Sequence, residues 1–478
     1  MLPTFDPWQT GAAAADVSLA AHASDEALRR RRADRLASLL GAAAAGSALY
    51  RRVLAGRDPA AVRLEDLPVV NKTDLMADFR SWVADPALDP DGLHRFVAGR
   101  ANIAEPYLDR YMVWESSGST GEPGLFVQDA AAMAVYDALE AMRRPVLRPL
   151  QRWLDPWGLT ERIAFVGATG GHFASTVSVE RLRRLQPGLA ERLRSLSFLQ
   201  PIDALVAELN AFAPTVLTTY PSAAVLLAHE RRSGRLKASP HEIWTGGEGF
   251  SPARRAFVQN AFGCPVANSY GASEFLSLAF ECARGVLHLN SDWAILEPVD
   301  AQGRAVPTGH VGATTLLTNL ANHVQPLIRY DLGDRVTLLA ARCACSSRLP
   351  AIEVKGRDDD TLVFRGGRGA PPVQIVPLAV STVLEEEAGL FDFQLVQQAP
   401  GELLLRTGRH GADAQATLQK ARKMLLAFLA AQGASGVHVH CRVGESASCG
   451  RSGKMKRVVS SLHGSVHVPE SATSTRFR

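Results

Sequence analysis

The chain of 478 residues lacks a long apolar run, a surplus of one charge and a dense set of cysteines. Each shortage removes a class of protein. No stretch approaches the ~18 consecutive apolar residues of a membrane-spanning helix, and pieces such as LLAFLAAQGA are short and helix-like. Lysine plus arginine outnumber aspartate plus glutamate by only 52 to 48. With no basic–aromatic stripe, that balance gives no argument for a nucleic-acid partner. Six cysteines in this length do not form a disulfide framework. The opening MLPTFDPWQT has neither the basic stretch nor the apolar core of a signal peptide. The expectation is a soluble chain in a reducing, cytoplasmic setting, with neither membrane nor nucleic acid as partner.

What is present is a globular composition, 46% hydrophobic, and a length suited to roughly two to four domains. Residues 1–100 read as an alanine-rich helical segment of a large domain. The arginine-rich faces of ALRRRRADRLASLLGAAAAG suit a solvated amphipathic helix. Over 101–357, IAFVGA, TVLTTY, HEIWTGG and CPVANSYG read as buried strands ending in small or turn residues. LRRLQPGLAERLRSL, DALVAELNAF and SAAVLLAHERR read as the helices between them. That alternation predicts an α/β fold with ligands at the strand ends. Near GRDDD (356–360) the pattern changes to a smaller α+β domain over 358–462, followed by a polar tail over 463–478. No internal repeat is present.

SSGSTGEPG (116–124) follows the apolar MVWE directly. Backbone N–H groups and the hydroxyls of Ser116, Ser117, Ser119 and Thr120 can surround an anion there, while Gly118 and Gly121 permit close approach. A flexible Gly/Ser turn would read the same way. The Gly-Lys-Ser/Thr ending of a Walker A loop is absent. Later segments shift the balance. SYGASEF (269–275) places Ser273 and Glu274 after a strand, a pair suited to a phosphate oxygen and to Mg²⁺. RYDLGDRV (329–336) presents an acid after a turn glycine, as needed to grip two ribose hydroxyls. GRDDDTLVFRGG (356–367) supplies an arginine and an acidic run, and SGKMKRVV (452–459) places a lysine after a glycine.

In this order and spacing, the segments resemble the core motifs of the ANL superfamily of adenylate-forming enzymes, and most of all the phenylacetate–CoA ligase family. The likeness runs from about residue 110 to 460. It implies a large multi-subdomain N-terminal domain and a small mobile C-terminal lid. It also implies ATP, Mg²⁺ and CoA as cofactors, a small carboxylic acid as substrate and a homodimer as assembly. Residue by residue, Ser116 to Gly121 would surround the β- and γ-phosphates of ATP. Gly246, Gly247 and Glu248 would line the adenine and acyl side. Tyr270 and Gly271 would lie at adenine, Ser273 at the α-phosphate, and Glu274 on Mg²⁺. Asp334 and Arg357 would hold the ribose, Asp359 would be the hinge, and Lys454 would enter from the lid for adenylation. The chain departs from the family at Glu122, where lysine commonly follows the last glycine of the phosphate loop, and in having Ser273 where threonine is frequent.

Cys282, His288, Cys343 and Cys345 offer three sulfurs and an imidazole, a donor set that satisfies tetrahedral Zn²⁺. Their spacing is not that of a common zinc finger, so chance scatter competes. The resemblance implies a structural zinc, since some relatives carry cysteine and histidine at corresponding positions. Tyr136, His172, Phe173 and Tyr220 are candidate walls of the acyl pocket and would suit an aryl or arylacetic acid. Such aromatics also occur as plain core, and a single histidine as a structural one. The implied activity is acid–CoA ligation through an acyl-adenylate. The alternatives are transfer to a carrier-protein thiol, an amine or a hydroxyl, and a nucleotide-binding relative without turnover.

Overall fold

The computed structural model describes residues 4–116, 123–345, 347–355, 361–367, 371–390, 393–445 and 457–461. The chain divides into two compact units, Met1–Asp358 and Asp359–Arg478.

The first unit opens with helices. Asp6 caps the helix Pro7–Ala21, and Ser24 caps Asp25–Gly46, each supplying an acceptor to otherwise unpaired N–H groups of the first turn. Leu28, Leu39, Leu40 and Ala43 form the buried stripe of the second helix. Arg29 and Arg30 face outward, whereas Arg31 and the largely covered Arg35 both reach Asp16. Arg35 also stacks on Trp293, its guanidinium 3.5 Å from the ring centre. The strands follow. β1 (Met112–Glu115) and β2 (Leu125–Gln128) pair antiparallel, with Glu115 opposite Leu125.

The main sheet then begins. β3 (Ile163–Gly167), β4 (Leu193–Ser197), β5 (Val216–Thr219), β6 (Glu242–Gly246) and β7 (Val266–Ala272) run parallel. Helices Ala174–Leu185, Ile202–Phe212, Pro221–Arg232 and Pro252–Phe262 make the crossovers, as parallel pairing requires. A reversal follows: β8 (Phe275–Glu281) lies antiparallel to β7, and β9 (Leu287–Leu289) antiparallel to β8. β10 (Ala294–Val299), β11 (Thr314–Asn319) and β12 (Tyr330–Asp331) form a separate three-stranded sheet. β13 (Arg335–Leu338) and β14 (Ala351–Lys355) complete a nine-stranded sheet in the order β13-β14-β9-β8-β7-β6-β5-β3-β4. The expected α/β architecture is therefore present, and the strands expected from IAFVGA, TVLTTY, HEIWTGG and CPVANSYG are β3, β5, β6 and β7.

Trp82 and Trp114 lie fully buried in the core of this unit. Their indole N–H groups donate to the carbonyls of Pro326 (2.6 Å) and Ser273 (2.8 Å), so neither buries an unmet donor. A buried ion pair, Arg143 with Asp292 at 2.6 Å, is completed by Asn290, which accepts from Arg143 at 2.8 Å. Removing one partner would strand a charge, at about 3–5 kcal/mol.

The second unit contains β15 (Leu362–Phe364) paired with β16 (Val373–Ile375), and a four-stranded sheet. That sheet is built from β17 (Gln394–Ala399), β18 (Glu402–Thr407), β19 (His438–Val443) and β20 (Val458–Ser460) in the order β19-β18-β17-β20. The helix Ala412–Ala431 packs its Leu418, Ala421 and Leu425 stripe on it. Arg457 pairs with Glu385, both buried, and lies over Phe393.

Candidate active site

The hairpin of β1 and β2 closes the neck of the Gly/Ser loop. The Ser116 amide donates to the Gly124 carbonyl, and the Gly124 amide donates to Ser116 Oγ, both at 2.9 Å. Ser117, Gly118, Ser119, Thr120, Gly121 and Glu122 lie outside the described residues, as do Arg357, Asp359 and Lys454. The neck is anchored from the main sheet: Glu115 forms a parallel bridge with Phe173, and its amide donates to the His172 carbonyl at 2.8 Å.

Ser273 and Glu274 form the reversal between β7 and β8. A side chain at Gly271 would place its Cβ 1.9 Å from the Leu276 carbonyl oxygen, so only glycine allows this turn. The turn is held from three directions. Trp114 donates to Ser273 O, and the Asn319 amide donates to Glu274 O at 2.9 Å. Tyr330 donates its phenol to Glu274 Oε1 at 2.8 Å. Burial pushes the Glu274 carboxyl above the ordinary glutamate range, while the Tyr330 hydroxyl and the positive charge of Lys72 pull the other way.

Tyr270 donates to Asp334 Oδ2 at 2.9 Å, so the structure joins the residues expected at adenine and at ribose. Burial drives the Tyr270 phenol well above its usual pKa, reinforced by the Asp334 carboxylate. At the end of β6, Gly247 has φ +80°, and an added Cβ would stand 3.1 Å from the Tyr220 ring. Glu248 receives the Ser222 amide at 2.8 Å and the Ser222 hydroxyl at 2.9 Å. Its negative charge therefore meets the positive N-terminal end of the helix Pro221–Arg232.

Tyr220 exchanges a hydrogen bond with Ser175 at 2.8 Å and stands edge-on to Phe198. Burial raises its phenol to about 12. Phe173 begins the helix Ala174–Leu185. Two of the candidate acyl-pocket residues sit deeper. Tyr136 is fully buried beneath the Glu274 turn, where it receives a hydrogen bond from Asn319 at 3.0 Å and packs on Phe275. His172 is buried against Phe96 of the helix Pro90–Val97, ring centres 5.8 Å apart, and desolvation holds its pKa down.

Sequence reasoning missed Lys72. It is buried in the first turn of the helix Lys72–Ala77, and its Cδ stands 3.1 Å from where a Cβ on Gly124 would be. Its charge thus lies between the neck of the loop and Glu274. The available signal was a lysine directly after the capping Asn71, where the helix dipole disfavours a cation. Tyr330 and Asn319, which fix Glu274, were also missed. Nothing local in the sequence links them to it.

Cys282, His288, Cys343 and Cys345 come together at the β14–β9–β8 end of the main sheet, with their four donor atoms all within 4.8 Å of one another. The Sγ atoms of Cys282 and Cys343 are 3.8 Å apart, and Cys345 Sγ is 3.2 Å from His288 Nε2. His288 Nδ1 lies 2.9 Å from the Leu349 carbonyl. A carbonyl only accepts, so Nδ1 carries the proton and Nε2 turns its lone pair to the sulfurs. A tetrahedral Zn²⁺ with ordinary bond lengths would separate two sulfurs by about 3.8 Å and a sulfur and nitrogen by about 3.6 Å. The donor set fits that ion.

No family model matches the chain. Over 138 residues it is 28% identical to Protein CapK of Staphylococcus aureus, and the match spans 28% of each protein. Among solved structures, 2-hydroxyisobutyryl-CoA ligase in complex with 2-HIB-AMP and CoA in the thioesterification state aligns over 92% of this chain and 91% of its own, with TM-score 0.56 and 22% identity. The chain shares the fold of that ligase, a large α/β unit followed by a smaller one. The same ligase in its postadenylation state with 2-HIB-AMP aligns with TM-score 0.52, again at 22% identity. The likeness covers both units of the chain, the large one with its nine-stranded sheet and the smaller one.

Proposed function

We propose that the protein activates a carboxylic acid as its acyl-adenylate, using ATP and Mg²⁺, and then transfers the acyl group to CoA. The observation that carries this reading is the convergence of Glu274, Lys72 and the neck of the Gly/Ser loop, beside the Tyr270–Asp334 pair at the end of β7. A divalent ion, a polyphosphate and a ribose call for that combination of carboxylate, cation, backbone amides and a second acid. The 2-hydroxyisobutyryl-CoA ligase structures with 2-HIB-AMP and CoA support it by analogy of fold.

In the first half-reaction a carboxylate oxygen of the substrate attacks the α-phosphorus, the bond to the bridging oxygen breaks, and pyrophosphate leaves. Both reactants are anions, so the site must offset their repulsion at the in-line geometry. Glu274 would hold Mg²⁺, Ser273 would donate to the α-phosphate, and Lys72 would add the charge that Glu122 fails to provide in the loop. Lys454 would complete the arrangement, while Asp334 and Arg357 would hold the ribose. In the second half-reaction the CoA thiolate attacks the acyl carbon and AMP leaves, with rotation about Asp359 exchanging one set of groups for another. Tyr220, Phe198 and the absence of a side chain at Gly247 suit a flat acyl group, so an aryl or arylacetic acid is the proposed substrate, as in phenylacetate–CoA ligases.

The Cys282–His288–Cys343–Cys345 cluster is assigned to structural Zn²⁺, which would clip the Cys343–Cys345 loop to β9 and to the β8–β9 turn. The test of the activity is pyrophosphate release across a panel of carboxylic acids, with and without CoA. Acid-dependent turnover yielding an acyl-CoA mass supports the reading. Release with no acyl-CoA would shift the acceptor to a carrier thiol, an amine or a hydroxyl, and no release with any acid would refute it.

A further inference from the structure

Within residues 150–159 lie Leu150, Trp153, Leu154, Trp157 and Leu159, exposed by 72, 77, 64, 83 and 65%. Single exposed apolar residues are ordinary, but a group of this size is not. Steps of about 100° per residue place Leu150, Trp153 and Leu154 on one face of the helix Pro149–Leu154. Arg152, also exposed, stands on the flank of that face, about 100° round the axis from Trp153. The turn that carries Trp157 and Leu159 is fixed to the body. The Asp155 carboxylate accepts from the amides of Leu159 (2.8 Å) and Thr160 (2.7 Å) and from the Thr160 hydroxyl (2.7 Å). Arg192 donates to the carbonyls of Gly158 (2.6 Å) and Glu161 (3.2 Å). The apolar side chains are therefore presented outward from an anchored segment, with little ordering left to be done on contact.

The charged groups around this face are unequal. Arg144 is engaged by Glu140 at 2.6 Å, and Arg148 by Glu242 at 2.9 Å and Glu161 at 3.4 Å. Both Asp155 oxygens are taken by amides of its own turn. Arg152 makes no hydrogen bond or ion pair among the described residues, and its charge reaches Glu161 only through space. A second copy meeting this face about a two-fold axis would bring two Arg152 guanidiniums onto one apolar contact, with no free acid to meet them. An anionic bilayer accepts every feature at once: leucines at the acyl boundary, indoles at headgroup level, and a guanidinium on its flexible stem at the lipid phosphates. At their observed exposure the five apolar side chains offer on the order of 600 Å² to it. No helix among the described residues is long and apolar enough to cross a membrane, and a peripheral contact needs none. We propose that the helix Pro149–Leu154 and its following turn attach the protein reversibly to an anionic membrane surface, which revises the expectation of no membrane partner.

The test is co-sedimentation of the full chain with vesicles of phosphatidylcholine and phosphatidylglycerol in equal parts, and with vesicles of phosphatidylcholine alone. Sedimentation velocity on the lipid-free protein runs beside it. Wild type should bind the mixed vesicles far better than the neutral ones, and the binding should weaken as salt rises. Trp153→Ser and Trp157→Ser should each weaken it at least about tenfold, by removing an inserted indole. Arg152→Glu should weaken it about 25-fold, since one charge near such a surface counts for about fivefold and the change spans two. Circular dichroism unchanged from wild type would show that all three remain folded. None of the three residues has a part in the proposed adenylation, so the result stands apart from that reading. Wild type that leaves the mixed vesicles unbound, or binds both kinds equally, would overturn the proposal. So would binding that all three variants leave intact, or a lipid-free dimer that all three dissociate, which would give the face to a second copy.

Discussion

Replacing Glu274 with glutamine separates the cost of its charge from the cost of its contacts. The amide keeps an oxygen to accept the Tyr330 hydroxyl, now at 2.8 Å, and the Asn319 bond to the backbone carbonyl is untouched. What is lost is a negative charge that the fold does not favour, since burial raises the carboxyl above its ordinary range. The sign follows from linkage. The folded state holds the proton more tightly than the unfolded chain, so this group's contribution to stability is fully present at low pH. It declines as pH rises from the unfolded value, about 4.3, through the higher folded one. At neutral pH Glu274→Gln should therefore leave the melting temperature equal to or above wild type. Glu274→Ala should lower it, because it removes the bond between the Tyr330 hydroxyl and the Glu274 side chain, at a cost of about 1–3 kcal/mol. Acid-dependent pyrophosphate release should fall about 10²–10³-fold with glutamine, the usual loss for one transition-state group. Differential scanning fluorimetry and initial rates measure both. A glutamine variant that keeps near wild-type release would refute the metal role, and one that melts well below wild type would refute the argument about its charge.

Three further outcomes follow. Lys72→Met retains the buried stem and removes the ammonium, so kcat/KM for ATP should fall about tenfold or more, equivalent to at least about 1.4 kcal/mol, and Lys72→Arg should recover part of it in the same kinetics. Lys454→Ala should abolish adenylate formation yet spare thioester formation from preformed acyl-AMP, read by product mass in each half-reaction. Cys343→Ser should remove one equivalent of zinc by elemental analysis and lower the melting temperature by at least about 4 °C, given ~2–4 °C per kcal/mol for a large domain.

The sheet was legible because parallel strands, covered on both faces, read as unbroken apolar runs. IAFVGA and CPVANSYG are such runs, each ending in small residues. The placing of Glu274 in a turn after a strand was legible for a related reason, since it follows a glycine and a hydroxyl at the end of an apolar run. Lys72 was not, because its significance depends on Gly124 and Glu274, which only the tertiary fold brings near. The same holds for Tyr330 and Asn319. His172 and Tyr136 show the opposite limit. Residue type suggested a pocket wall for each, while packing directs one to Phe96 and the other beneath the Glu274 turn. The four-residue sulfur and imidazole set was visible as composition. Its closeness in space depends on β14 pairing with β9, which sets Ala351 opposite His288.

Acid-dependent exchange of labelled pyrophosphate into ATP, without CoA, tests adenylate formation most directly, since the label returns only through a reversible acyl-adenylate. Exchange is expected with at least one aryl or arylacetic acid, and its loss in both Glu274→Gln and Lys454→Ala. Absence of exchange with every acid tested, or exchange that persists in both variants, would contradict it.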